Sequence, residues 1–419
     1  MPDKTTLGRI RRGIGALAVL GLAAVASSCD GSPSEPGERE VLLGGLFSLT
    51  GNWATLGQTS QAAMQIAIED VNAYLARNPA GFRFVAAIED TELKPDVALA
   101  KAQALRGRGA QILIGPQSSA EAAQLKSYVD ANGLLLVSQS STAGSLAIAG
   151  DNIYRFTPTD SLEGVAVSAL MWEDGMRAII PVWRDDAGNA GLEAATRARF
   201  SALGGSVRTG VRYGATTTDF AATVTALRAQ VDQAIAQQGT ARVAVYLAAF
   251  DEAAALFARA ASDPVLGTVR WYGSDGVALS DALLSNAQAA EFAVRVDYPN
   301  PIFGLEEGAR DVWEPLSARI RARTNLTPDA FALAVYDAVW VAAKAYLATG
   351  ASPSAAELKQ AFAATADTHF GATGWTALNP ARDRRYGDFD FWAIRREGGT
   401  LRWTRVAQYE TRAGRVVRR

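Results

Sequence analysis

Ser118 and Ser119 stand directly after Gly115-Pro116-Gln117 and directly before AEAAQLKSYVDA, a stretch of helical composition. A helix starting there offers backbone N–H groups without intrahelical partners, and hydroxyls beside them make a ready site for a carboxylate. The same serines would serve as ordinary N-caps, so the pattern fits anion capture and helix capping alike. Nineteen residues after Ser119 comes a second hydroxyl-rich loop, Ser138-Gln139-Ser140-Ser141-Thr142, closing the apolar run LLLVS. Its place at the C-terminal end of an expected strand is where open α/β sheets bind ligands. A third candidate is Asp275, set between small residues in Tyr272-Gly273-Ser274-Asp275-Gly276. It either satisfies a turn or makes a charge-assisted hydrogen bond to a cation in a desolvated cleft.

The inventory of more reactive groups is short. The chain of 419 residues has one histidine, His369, and one cysteine, Cys29. A single imidazole without a spare thiol excludes the usual zinc sets and the Cys-His or Ser-His nucleophile pairs. There is no G-x-S-x-G elbow and no Walker loop. Acidic residues are plentiful, but their spacing singles out no catalytic pair, so they read as solvated surface. No catalytic residue, metal or cofactor is expected.

Cys29 follows Lys4, Arg9, Arg11 and Arg12 and the apolar run IGALAVLGLAAVAS. That run is short for a membrane span and has the flanks of a secretory signal. Val25-Ala26-Ser27-Ser28-Cys29 resembles the bacterial lipobox, in which the cysteine is lipidated and becomes the new N-terminus. A plain cleaved signal is the alternative. Residues 1–28 are thus expected to be a lipoprotein signal peptide and 29–39 a flexible tether, placing the body outside the cytoplasm, periplasmic or at the cell surface, held to a bacterial membrane through Cys29. With its cysteine used as anchor, the body has no disulfide and relies on core packing. The formal charge of −2 implies no basic face, so no nucleic-acid partner is expected.

From residue 41 onward, short apolar runs alternate with amphipathic stretches. VLLGGLFSL, FRFVAAIED, QILIG and LLLVS read as strands. Between them come helices near Gln58–Arg77, with Ala63, Ile66, Ala67, Val71, Tyr74 and Leu75 on one face, then Pro95–Arg106 and Ala120–Ala131. After Thr157-Pro158 the alternation repeats, with helices near Glu163–Asp174, Ala190–Leu203, Asp219–Gln237 and Asp251–Ala261. The intervening strands are RAIIPVW, SVRTGVRYG, ARVAVYLAA and VRWYGS, and a short helix follows near Ser280. Such β-α alternation predicts an α/β class with parallel sheets, helices on both faces, and two similar Rossmann-like lobes. Helix is expected again at Arg310–Arg323 and Pro328–Leu347. A hairpin is expected about Gly398-Gly399, with Trp392 and Trp403 as sheet packing.

Several segments, in this order, resemble the type I periplasmic solute-binding proteins, specifically the leucine/isoleucine/valine-binding protein family. They are GGLFSLTGNWATLGQTSQAAMQIAIEDVN, ILIGPQSS, LLLVSQSST, YRFTPTD, GATTTDFAATVTALR, WYGSDGVAL and FALAVYDAVWVAAKAY. The resemblance covers roughly residues 40–395. It implies two lobes joined by three hinge crossovers, with lobe 1 at 40–157 plus 298–373 and lobe 2 at 158–297 plus 374–419. It also implies a ligand cleft between them that closes by a hinge motion. Ser119 matches the serine that binds an amino-acid carboxylate, with Ser118 beside it. Ser140 and Thr142 match contacts to carboxylate and ammonium, and Asp275 matches an acid facing the ammonium. The family's two cleft tyrosines are matched by Ala187 and Phe250, and a first-loop tyrosine by Leu56. Trp53 and Trp183, both expected in loops, are positioned to refill the altered side-chain pocket. The resemblance therefore implies a non-enzymatic, monomeric receptor for an amino acid or related small carboxylate, partnered by an ABC transporter permease. A sensing module acting with a separate signalling partner is the alternative.

Overall fold

The computed structural model describes residues 39–419. The expected signal peptide, Cys29 and all but the last residue of the expected tether lie outside the described residues.

The first sheet is built from β1 (Arg39–Phe47), α1 (Ala54–Arg77), β2 (Phe82–Asp90), α2 (Pro95–Gly107), β3 (Ile112–Ile114), α3 (Ser119–Ala131), β4 (Leu135–Ser138) and β5 (Ile153–Arg155). Its five strands are parallel, in the order β2-β1-β3-β4-β5. Proline at the first turn of α2 costs no hydrogen bond, since that N–H has no helical partner. On α1 the buried face is the expected one, except that Tyr74 lies at its edge, 40% exposed, with its ring edge-on to Trp340.

The second sheet uses α4 (Asp160–Glu173), β6 (Ala178–Asp185), α5 (Ala187–Ala202), β7 (Ser206–Val207), β8 (Val211–Gly214), α6 (Ala221–Gln238), β9 (Val243–Ala248), α7 (Ala253–Ala260) and β10 (Arg270–Tyr272). It runs β10-β9-β6-β7, with β8 also parallel to β6. The expected single strand SVRTGVRYG is therefore two. Gly210, at φ +83, breaks it where a Cβ would press on the Pro181 carbonyl, a conformation that glycine alone adopts without strain. The period of two is visible in the packing. Ala178, Ile180 and Val182 face α6 and α7, while Ile179 faces α4 and α5.

Then follow α8 (Asp281–Ser285), α9 (Ala287–Arg295), β11 (Asn300–Phe303), α10 (Arg310–Thr324), α11 (Ala330–Thr349), α12 (Ala355–Thr368), β12 (Phe370–Gly371) and β13 (Gly374–Trp375). The chain finishes in β14 (Phe389–Glu397), β15 (Thr400–Glu410) and β16 (Arg415–Arg418). Strand β11 pairs with β14, so these late segments form a separate antiparallel sheet, β11-β14-β15-β16. The β14–β15 hairpin turns at Gly398 and Gly399, both at positive φ as a tight two-residue turn requires. Helix α11 is long and apolar enough to cross a membrane, yet most of it is buried against α1 and α12. It is a core helix.

Candidate functional site

The first wall of the site is a set of loops at the C-terminal ends of β1, β3 and β4, laced together by hydroxyls and one amide. Gln117 is fully buried. Its Oε1 accepts from Ser48 N at 2.6 Å and its Nε2 donates to the Trp53 carbonyl at 3.2 Å. Trp53 is thereby held at the start of α1 in the left-handed region, φ 59°, a costly conformation for an aromatic residue. Gly57 makes this approach possible, because a Cβ there would collide with the Ser48 carbonyl. The second loop hangs on the first. Ser138 Oγ donates to the Pro116 carbonyl at 2.6 Å and Ser140 Oγ to the Gln117 carbonyl at 2.9 Å. Ser119 Oγ accepts from the backbone N–H groups of Thr142 (3.2 Å) and Ala143 (3.1 Å) and from Ser141 Oγ (3.1 Å).

The second wall comes from the ends of β6, β9 and β10 and meets the first closely. Trp53 stacks on Phe250, ring centroids 4.4 Å apart, and stands edge-on to Phe331 at 6.2 Å. Asn52 Nδ2 donates to Glu252 Oε2 at 2.6 Å, and Asp251 N donates back to Asn52 Oδ1 at 2.9 Å. Asp186 caps α5 by accepting from Asn189 N and also pairs with Arg184. Behind that cap, Gly188 approaches Ser119 so that a Cβ would lie 3.5 Å from its hydroxyl. The N-termini of α3 and α5 therefore converge, and two positive dipole ends face one point.

Beside this point lies a group of buried acids. Asp160 and Glu163 sit in the first turn of α4, and Asp275 in the turn after β10. The backbone N–H of Asp275 donates to Glu163 Oε1 at 3.2 Å. Neither oxygen of Asp160 has a hydrogen-bond partner. Burial pushes its carboxyl up to about 7; the nearby Thr142 hydroxyl and Gly144 N–H, both short of hydrogen-bond geometry, and the charge of Arg155 oppose the shift without cancelling it. Burial, and then the charge of Asp160, push Asp275 up to about 8. Glu163 rises strongly through burial and the charges of Asp275 and Asp160. From the first wall, Asp329 caps α11 by accepting from Ala332 N at 2.8 Å, and burial raises it to about 7. Among the described residues, no three His, Cys, Asp or Glu side chains are arranged to hold a metal.

The structure thus brings Ser119, Thr142, Trp53, Phe250 and Asp275 to one interlobe region. Ser140 is buried within the first wall, its hydroxyl on Gln117. Ser118 serves as the N-cap of α3: its N–H and hydroxyl both donate to Glu121 Oε2, and its Oγ accepts from Glu121 N, a closed capping box. Trp183 is not in a loop. It lies within β6, its ring packed on Gly210. Ala187 opens α5 and Leu56 is buried in α1. Sequence reasoning missed Asp160, Glu163, Asp329, Phe331, Arg184 and Gln117. YRFTPTD contains Asp160, and acids at positions one and four of a helix were the available signal for it and Glu163.

Residues 59–397 match the model of the family described as receptor family ligand binding region. An uncharacterized protein of Methanocaldococcus jannaschii, MJ1266, is 27% identical over 94% of this chain and 96% of its own length. Among solved structures, the branched-chain amino acid transporter substrate-binding protein LivJ from Streptococcus pneumoniae, in complex with isoleucine, aligns with a TM-score of 0.70. It is 19% identical, over 91% of this chain and 100% of that one. The leucine-binding protein LivK from Thermotoga maritima gives 0.70 at 19% identity, over 87% and 97%. An ABC transporter solute-binding protein from R. palustris, RPA0668, in complex with benzoate, gives 0.69 at 16% identity, over 87% and 96%. The chain belongs to the receptor family of ligand-binding regions, and its fold is that of the type I periplasmic solute-binding proteins.

Proposed function

We propose that this chain is a non-enzymatic solute receptor that captures an amino acid or related small carboxylate between its lobes and delivers it to an ABC importer. The observation that carries the reading is the approach of the α3 and α5 N-termini at Ser119 and Gly188, with Asp275 in the group of buried acids that includes Asp160 of α4. Helix ends and hydroxyls suit a carboxylate, and the acid suits an ammonium. Isoleucine and benzoate, bound by two proteins of this fold, are both carboxylate-bearing, which supports the same end of the site. Ser119, Ser140 and Thr142 are the carboxylate-side contacts in this reading, Asp275 the ammonium contact, and Trp53 and Phe250 the lid over the side chain. The two lobes move as 40–157 plus 298–373 and 158–297 plus 374–419. The permease reads the closed form, and lipid on Cys29 holds the monomeric receptor at the membrane where the permease sits.

A melting-curve screen of amino acids, aromatic acids and dicarboxylates tests it. Ligand at one hundred times its dissociation constant stabilises the folded state by about 2.7 kcal/mol. A screen in which no member of any class raises the melting temperature defeats the proposal.

A further inference from the structure

We infer that the ligand carries two cationic groups, as a basic amino acid does, one held at Asp275 and the other at Asp160 and Glu163. The inference rests on the receptor reading above and narrows its substrate class.

Three carboxyls crowd one closed space. Asp160, Glu163 and Asp275 are each at most 4% exposed, and α4 and the turn after β10 bring them together. Arg155, from β5, is the cation whose charge acts on Asp160, yet it makes no hydrogen bond to it. It pairs with Asp383 at 2.6 Å and donates to the Ala143 carbonyl at 2.6 Å, and its Nη2 has no partner. Arg184, from β6, pairs with Asp186 at 2.8 Å and lies 3.7 Å from Glu252. Asp329, from α11, adds a further carboxyl that caps Ala332 and that burial raises to about 7. The Asp275 N–H donates to Glu163 Oε1 at 3.2 Å, burial favours the protonated form of all three carboxyls, and one ligand ammonium at Asp275 meets only part of this cluster. Asp160 then remains, buried and without a hydrogen-bond partner on either oxygen.

A second observation points the same way. Tyr246, on β9, is fully buried, the Thr196 hydroxyl beside its own falls short of hydrogen-bond geometry, and the charges of Glu163, Asp275 and Asp160 all act on it. Its hydroxyl can accept from an N–H donor of a ligand as well as donate to a neighbouring carboxylate. Asp160 is also accommodated by the backbone around it: a Cβ on Gly191 of α5 would collide with its Oδ2. The groups lack metal-binding geometry, and Trp53, Phe250 and Phe331 supply aromatic surface nearby, which favours an organic cation.

L-lysine and L-norleucine share a carbon chain and differ in the terminal ammonium, so calorimetric titration of the unmodified protein with each isolates the second charge. Lysine, arginine or ornithine should bind about tenfold or more tightly than norleucine. Asp160→Asn should remove that advantage while leaving norleucine binding in place. Norleucine, leucine or an aromatic acid binding as tightly as every basic amino acid overturns the inference and leaves the receptor reading standing. Binding of none of these compounds overturns both.

Discussion

Trp53 and Phe250 lie face to face, 25° from parallel with ring centroids 4.4 Å apart, one at the end of the first sheet's leading strand and the other at the end of the second sheet's β9. In the proposed hinge motion, opening the cleft separates them. Stacked pairs contribute about 0.5–1.5 kcal/mol beyond the area they bury. Trp53→Ala and Phe250→Ala should each weaken ligand binding by about tenfold or more, and a double-mutant cycle should give a coupling of about 1 kcal/mol. Additive losses would show that the rings do not close on each other in solution.

The buried acids make stability fall with rising pH. The ordinary carboxyl value is 3.8, and in the folded chain Asp160 and Asp275 lie near 7 and 8. Between those limits the folded protein holds protons that the unfolded chain has released, so unfolding becomes easier as pH rises through this window. The ligand-free melting temperature should drop by several degrees from pH 5 to pH 8. Asp160→Asn and Asp275→Asn should each flatten the curve, and a bound cation should do so without mutation. A wild-type curve that rises across the window contradicts the assignment.

Arg155 and Asp383 form an ion pair with both side chains 1% exposed. Removing one partner strands the other charge in the interior, at a cost of about 3–5 kcal/mol. Arg155→Leu should therefore lower the melting temperature strongly. It should also loosen the ligand loop, because Arg155 donates to the Ala143 carbonyl. Replacing both partners with leucine should recover much of the loss, as thermal melts of the three variants will report.

The anchor is tested independently of the cleft. Full-length protein made in a bacterium fed labelled palmitate should incorporate label, and Cys29→Ala should not. Equal label in both would show that lipid, if attached, is not on Cys29.

The alternation of elements was legible because apolar period and turn residues both mark them. FRFVAAIED became β2 with the expected ends, and the Gly398-Gly399 hairpin formed as expected. What local pattern does not carry was missed. Strand β5 has three residues and is defined by its pairing with β4. Helix α12 lay beyond the part of the chain read as helical, although Ser354 and Glu357 close a capping box at its start. In the site, the loop hydroxyls were legible from their places at helix starts and strand ends. Asp160 and Glu163 were not, because an acid in the first turn of a helix reads as a favourable, solvated charge. Only tertiary packing against α5 and the turn after β10 buries them.

In the proposed complex the cleft holds a ligand by its carboxylate at Ser119 and by its ammonium at Asp275. Calorimetric titration of Asp275→Asn and Ser119→Ala, each with the tightest-binding amino acid and its deaminated analogue, tests it most directly. The account predicts that Asp275→Asn weakens the amino acid by about 2–5 kcal/mol and spares the deaminated acid. Ser119→Ala should weaken both. Equal losses of the two ligands in Asp275→Asn would contradict it.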